Sequence, residues 1–421
     1  MNPRTSHLGK ALVYAGTFAT PVSQWFLLYL FTREGLAAAG KFSLLFSVAV
    51  VIFVISNAAL RDVYLSLRER LSWWTYLLMR VIGAAAGGLA LIVTGMLVGA
   101  EEALLAGMVL LKVCDAILDM IQAKLQDELR LHALGISALV GATFTSGSAL
   151  AAATFTGSAT VGLIAAALAR IPVAAVTLAV AARPMAAAQR RDDEIPLRVV
   201  AEPAVLLTVG HLVTALAAYL PVWLIAWWTG NAETIGAWST AAYILVAANL
   251  VGVGFRTHLL PTIRVGLDAG ATLSHAWALA RRGVVTIVPW CAAGFAATVL
   301  AGDTVLGAVY GPDFRIGRGV LVPLGLAAVA AVLSVVLGTM TLAANRFRRQ
   351  TGVALAAVVD TVVMAQCLHL SGVDPLPAVA WGVATGATTR VLGLLYVSLH
   401  AVRTERTVST PSLAEPGGPR P

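Results

Sequence analysis

Residues 36–70 read LAAAGKFSLLFSVAVVIFVISNAALRDVYLSLRER, an almost unbroken apolar run that ends in a group of arginines. A short small-residue turn, GKFS at 40–43, opens the run. About 20 consecutive apolar residues cross a bilayer as a helix, and basic residues collect at the cytoplasmic ends of such helices. The stretch therefore predicts a membrane-spanning helix over 38–60 that exits on the cytoplasmic side.

The same pattern returns later in the chain. GAWS at 236–239 leads into an apolar run that is followed by Arg256 and Arg264. In each half the preceding span contains a proline, Pro21 or Pro221, and the span after the turn carries an asparagine late in its length. The recurrence predicts two halves related as parallel repeats.

The composition is that of a multi-span membrane protein, because 59% of the 421 residues are hydrophobic and only 12% are charged. The net charge of +8 comes from basic groups between apolar runs, which fits membrane topology and not nucleic-acid binding. Three cysteines in no C-x-x-C pair predict neither a disulfide framework nor a metal site. Nucleotide-binding, zinc-protease and hydrolase motifs are absent, so we expect no enzyme and no cofactor.

Hydropathy predicts twelve spans, and alternate connections between them carry most of the basic residues. This bias predicts a multi-pass protein of the cytoplasmic (inner) cell membrane with both termini in the cytoplasm. The spans are 9–31, 38–60, 73–97, 102–122, 133–153, 160–182, 203–228, 235–256, 283–302, 319–343, 352–371 and 377–400.

The long basic connection at 183–202 divides the spans into two sets of six. We therefore predict an N-terminal six-helix lobe over 1–182, a cytoplasmic linker over 183–202 and a C-terminal six-helix lobe over 203–402. The tail, 403–421, is predicted to be disordered. An amphipathic helix on the inner membrane surface is predicted within 258–282.

Charges inside the spans are the candidate functional residues, because an ionised group facing lipid is costly. Arg170 and Arg390 lie near mid-span with no acid within a turn, so they are predicted to be unpaired bases. Arg80 lies nearer the cytoplasmic end and is expected to snorkel toward water.

Lys112, Asp115 and Asp119 share one face of the fourth span, because offsets of three, four and seven return to the same side of a helix. They are expected either to line a cavity, where an acid could hold a coupling cation, or to form a self-neutralised structural pair. Other polar residues are expected either to line the same cavity or to form hydrogen bonds between helices. These are Gln24, Asn57 and Asn249.

Asp115-x-x-x-Asp119 has the spacing of the acidic motifs with which intramembrane prenyltransferases hold magnesium and diphosphate. Those enzymes need a second acidic motif, and the later half contains nothing comparable. An enzyme of this class is therefore not favoured.

Three short stretches carry a resemblance to a known family: LAAAGKFS at 36–43 with its exit at Arg61, VYGPDF at 309–314 and ANRFRR at 344–349. With these, the layout resembles the polysaccharide-export branch of the multidrug/oligosaccharidyl-lipid/polysaccharide (MOP) exporters, the O-antigen-type lipid-linked oligosaccharide flippases. The resemblance implies an all-α polytopic protein whose two six-helix lobes follow the MATE/MOP pattern, around a cavity lined by cations.

The resemblance also implies a function and partners. Such a transporter flips a polyprenyl-diphosphate-linked oligosaccharide, a cell-surface polysaccharide precursor, across the membrane by alternating access. Its partners would be the lipid-linked glycan, membrane lipids and other polysaccharide-assembly proteins, with no nucleic acid. Basic residues fit this reading, since arginine and lysine stabilise a diphosphate in a low-dielectric cavity.

Two alternatives remain open at the level of sequence. A cation-coupled multidrug exporter of the same superfamily would use acids within the membrane, whereas this chain has more central bases than acids. A non-transporting membrane scaffold of polysaccharide assembly would have its cavity bases all paired.

Overall fold

The computed structural model describes residues 3–67, 71–183, 197–312, 314–344 and 346–409. In these ranges every regular element is a helix, twelve of them long and one short. The helices are α1 (Pro3–Glu34), α2 (Leu36–Asn57), α3 (Leu60–Ser66), α4 (Trp73–Leu97), α5 (Glu102–Asp127), α6 (Leu131–Thr156), α7 (Ala159–Ala181), α8 (Leu197–Thr229), α9 (Ala232–Asp268), α10 (Leu273–Tyr310), α11 (Arg318–Ala343), α12 (Phe347–Leu370) and α13 (Pro375–Ser409).

Each of the twelve predicted spans matches one of the twelve long helices and runs past the end of that helix by three residues at most, which confirms an all-α polytopic membrane fold. Within the described residues, ten helices are long and apolar enough to cross a membrane. The predicted spans in α1 and α5 are outside these ten, and α5 carries Lys112, Asp115 and Asp119. Its polar stripe makes α5 the helix least suited to face lipid on all sides.

The predicted span at 38–60, the second of the twelve, does not continue to its end as one straight helix. Ala58 and Ala59 both have φ of 47°, in the left-handed region, so α2 ends at Asn57 and α3 begins at Leu60. A non-glycine residue in this region costs about 1–2 kcal/mol. The break brings Arg61 into a pocket instead of leaving it free in the cytoplasm.

The predicted turns at GKFS, 40–43, and GAWS, 236–239, are not turns, because both segments are helical and lie within α2 and α9. The two segments pack directly against each other where α2 crosses α9. A Cβ on Gly40 would lie 1.8 Å from the carbonyl oxygen of Ala232, and a Cβ on Gly236 would lie 1.9 Å from that of Leu36. Because only glycine permits such close backbones, the repeated sequence element is also a symmetric contact.

Contacts divide the chain into two compact units. One contains residues 1–243 and 306–314, and the other contains 244–305 and 315–421. The predicted lobes at 1–182 and 203–402 stay a prediction. The linker prediction, 183–202, falls mostly on 184–196, outside the described residues, as does the tail prediction from 410 onward.

In the second unit, the helix predicted to lie on the membrane surface within 258–282 is not a separate element. That segment is instead the end of α9 and the start of α10. The prediction was wrong because Ala276 and Ala280 do not face a lipid surface; they are buried with Ile263 of α9 and Met340 of α11. In the same unit, Gly386 of α13 lies against Thr361 of α12, so these two helices pack closely.

Candidate functional site

A pocket of about 340 Å³ lies in the first unit among α1, α2, α3, α5, α6 and α7, and we call it the charged pocket. It brings together six of the nine candidate residues from helices far apart in sequence. These are Gln24, Asn57, Lys112, Asp115, Asp119 and Arg170. Arg61, Gln122 and Ser137 also line it.

Asp119 of α5 is bound by two arginines. Arg61 Nη1 donates to Asp119 Oδ1, and Arg80 Nη2 lies 3.2 Å from Asp119 Oδ2. Arg61 also donates to Oε1 of Gln126 at 2.8 Å, which joins α3 to α5. Asp119 is therefore neutralised by protein and is a poor site for a coupling cation.

Arg80 does not snorkel, contrary to the sequence expectation. Its side chain is only 2% exposed, and its charge is directed at Asp119. A carboxylate on the neighbouring helix offers a stronger partner than distant water, so the arginine turns into the protein.

Arg170 of α7 was predicted to be unpaired, and that prediction was wrong. Its Nη1 lies 2.8 Å from Oδ1 of Asp115 on α5. The pair forms because α5 and α7 are neighbours, which spacing along one helix does not show. The Nε of Arg170 remains buried without a hydrogen-bond partner among the described residues.

Lys112 of α5 lies over an aromatic ring, with Nζ 3.8 Å from the centroid of Phe46 on α2. A cation within about 6 Å of a ring face is attracted by the ring quadrupole. Lys112 is 8% exposed, and it forms no ion pair with Asp115 within the described residues. The sequence alternative of a self-neutralised Lys112–Asp115 pair is thus replaced by an Arg170–Asp115 pair.

The balance of charge in the charged pocket is positive. Three bases, Arg61, Lys112 and Arg170, line it against two acids, Asp115 and Asp119. Each acid has an arginine partner, and Asp119 has a second in the buried Arg80. The cation left without a carboxylate partner in the described pocket is Lys112.

Two predicted site residues belong to the second unit and do not line this pocket. Arg390 of α13 makes no ion pair within the described residues, and Asn249 of α9 is exposed. Next to Arg390 in sequence, Thr389 donates to Oδ2 of Asp360 at 2.7 Å, which links α13 to α12.

Sequence reasoning missed Arg61 and Ser137 as pocket residues, and it missed Phe46 as the ring that contacts Lys112. Arg61 was interpreted as an orientation signal because it follows an apolar run, and only the break at Ala58 and Ala59 brings it inward. Ser137 accepts a hydrogen bond from Nε2 of Gln122 at 3.0 Å. The polar stripe on α5, which includes Gln122 and Gln126, was the available signal that the neighbouring helices would supply polar partners.

The position of α3, and so of Arg61, is supported from α8. Nε2 of His211 lies 3.0 Å from Oδ2 of Asp62, the residue after Arg61. The hydrogen bond from His211 lowers the pKa of the Asp62 carboxyl below its ordinary value, which keeps this carboxylate ionised.

Solved structures provide the comparison with known proteins. The chain matches an outward-facing multidrug resistance transporter of the MATE family, MOP superfamily, with a TM-score of 0.67 at 10% identity, over 97% of this chain and 98% of that one. The chain has the MATE fold. An inward-facing multidrug resistance MATE transporter matches with a TM-score of 0.65 at 12% identity, over 94% and 96% of the two chains.

A third neighbour of this MATE fold is a MOP superfamily transporter from Pyrococcus furiosus, described as having a binding pocket of reverse polarity that suggests a different function. It matches with a TM-score of 0.63 at 13% identity, over 96% of this chain and 97% of that one. No protein-family model and no curated protein matches the sequence. With ten candidate spans, the MATE-fold chain is a multi-pass membrane protein.

Proposed function

We propose that this MATE-fold protein is a transporter that flips a polyprenyl-diphosphate-linked oligosaccharide across the cytoplasmic membrane. The observation that carries the proposal is the charge state of the charged pocket. Both acids are held by arginines, and Lys112 keeps a positive charge without a carboxylate partner in the described residues. An anion in this pocket gains a charge partner, whereas a cation must displace an arginine.

The size of the pocket supports a role in binding the head of the substrate. At about 340 Å³ it is near the lower end of ligand pockets, which span about 300–1,000 Å³. A diphosphate fits this volume better than a whole oligosaccharide does. Arg170 Nε is buried without a hydrogen-bond partner among the described residues, so a bound anion can accept a hydrogen bond from it.

A cation-coupled multidrug exporter is the second candidate, and the MATE-fold neighbours that are multidrug resistance transporters favour it. That function needs an acid able to exchange its partner for a proton, a metal cation or a cationic drug. Asp115 fits this role better than Asp119, because it has one arginine partner and not two. A scaffold without transport is the third candidate.

The test is flipping of a fluorescent polyprenyl-diphosphate glycan by the purified protein in proteoliposomes. Lys112→Met keeps the length of the side chain and its contact with Phe46 but removes the charge. Since a hydrogen bond to a charged group contributes about 1.5–3 kcal/mol, we expect flipping to fall about tenfold or more. Lys41→Met is the matched control, because Lys41 is exposed on α2 and outside the charged pocket, and it should flip at the wild-type rate.

Other outcomes separate the candidates. Export of a cationic dye by the wild type, lost in Asp115→Asn and kept in Lys112→Met, would replace the flippase by the drug exporter. Transport of neither substrate by a correctly inserted protein would favour the scaffold.

A further inference from the structure

An apolar groove of about 410 Å³ lies between α6 and α7 in the first unit. Its walls come from 133–144 of α6 and 172–180 of α7, and we call it the α6/α7 groove. Val140 and Val176, one from each wall, are 40% and 65% exposed, so the groove opens sideways from the protein. In a multi-pass membrane protein that direction faces lipid.

The α6/α7 groove offers no polar contact to an occupant. Its two hydroxyl residues, Ser137 and Thr177, donate to carbonyl oxygens of their own helices, those of Leu134 and Val173. The other lining residues are apolar. A hydrocarbon chain is the occupant that such a surface accepts without an unsatisfied polar group.

The α6/α7 groove and the charged pocket meet at Ser137, which lines both. On the pocket side, the hydroxyl of Ser137 accepts from Gln122, and on the other side it borders the apolar wall. A molecule with an anionic head and a hydrocarbon tail needs this arrangement, since its two parts are covalently joined and must bind in adjacent sites.

We infer that the α6/α7 groove binds the polyisoprenoid chain of the transported lipid while the diphosphate enters the charged pocket. The inference rests on the proposed function. It adds a binding site for the hydrocarbon part of the substrate, which would make the transporter select a lipid-linked diphosphate. The polyisoprenoid moves from the hydrocarbon of the bilayer into the apolar groove, so binding gains little hydrophobic transfer energy. The groove instead contributes orientation. Its effect is to present the head to Lys112 in a fixed position.

The first experiment compares two fluorescent substrates in proteoliposomes, a glycosylated diphosphate on a long polyisoprenoid and the same head on a two-unit isoprenoid. Val140→Trp and Val176→Trp fill the groove from its two walls. We expect each to lower transport of the long-chain substrate about tenfold through lost preorganisation and to leave the short-chain substrate unchanged. Val93→Trp on α4 is the matched control, because Val93 is 51% exposed and lies outside both pockets.

The variants distinguish failure of the groove from failure of the proposed function. The groove inference is wrong if the two groove variants transport the long-chain substrate at the wild-type rate, or if they lose transport of both substrates equally. In either case Lys112→Met still tests the site of the diphosphate. If the wild type transports neither substrate, the proposed function fails, and the inference that rests on it falls too.

A second experiment uses the unmodified protein, so it does not depend on variants folding. A polyprenyl diphosphate with a diazirine in its chain should crosslink to peptides from 133–144 and 172–180, and unlabelled polyprenyl diphosphate should compete. If a diazirine phospholipid labels these peptides and polyprenyl diphosphate does not compete, the groove holds bulk membrane lipid and the inference is wrong.

Discussion

Asp119 is the carboxylate that holds two arginines, Arg61 and Arg80, at the charged pocket. It neutralises Arg80, which is 2% exposed, and Arg61, which is 30% exposed. The two arginines are not equivalent, because water can reach Arg61 when its partner is lost and cannot reach Arg80. A buried charge without its partner is far more costly than an exposed one.

We expect Asp119→Asn to lower the free energy of unfolding by about 3 kcal/mol or more, because it leaves the buried charge of Arg80 unpaired. Arg61→Gln should cost only about 1 kcal/mol, because Asp119 keeps Arg80 and the lost pair is partly exposed. Unfolding of the purified protein in detergent measures both values. Adding Arg80→Met to Asp119→Asn should recover part of the loss, and equal losses in the two single variants would contradict the unequal roles of the arginines.

At the level of single residues, the sequence predicted which side chains meet but not how they pair. Six of nine candidates line one pocket, because charges within apolar helices must turn away from lipid. The Arg170–Asp115 pair joins two helices, and the stripe on α5 alone contains no information about which helix lies opposite. Arg390 and Asn249 do not line this pocket and remain candidates in the second unit.

At the level of elements, the crossing of α2 and α9 leaves the least space for a Cβ atom among the described glycines. Gly40 and Gly236 each lie against the backbone of the other helix. Sequence comparison within the chain found the repeated segments around these two glycines, although it gave no reason to expect the two copies to touch.

We expect Gly40→Ala and Gly236→Ala to destabilise the protein by about 1–3 kcal/mol each, because the added methyl group must push two backbones apart. Gly147→Ala on α6 is the matched control, since a Cβ there meets no atom within 4 Å. That control should be neutral or stabilising by up to about 1 kcal/mol through helix propensity. Thermal unfolding in detergent compares the three, and an equal response of all three would remove the crossing as a structural constraint.

Helix existence was predictable from the sequence, whereas helix interruption was not. Apolar length alone located all twelve long helices. The break at Ala58 and Ala59 contains no glycine or proline from which it could be predicted. Contacts made elsewhere in the fold, including the ion pair of Arg61 with Asp119, hold the two alanines in the left-handed region.

At the level of the whole molecule, orientation in the membrane decides which leaflet the α6/α7 groove opens to. The groove lies near the end of the helix pair where α6 begins and α7 ends, next to the connection that contains Leu129. Lys124 and Arg130 flank that connection, whereas the turn at 157–158 at the other end has no basic residue. The charge bias therefore predicts that the groove opens to the cytoplasmic leaflet. A substrate that is to be moved to the outer face must enter from that leaflet.

Cysteine labelling in intact cells tests this orientation. In a Cys367→Ser background, which removes the exposed native thiol and keeps the buried Cys114 and Cys291, a single cysteine is placed at either end of α6. Thr156→Cys should react with a membrane-impermeant maleimide from outside, and Leu129→Cys, at a position that is 66% exposed, should react only after permeabilisation. The reverse pattern would direct the groove to the outer leaflet, and loading of a lipid-linked substrate from the cytoplasmic side through α6 and α7 would then be excluded.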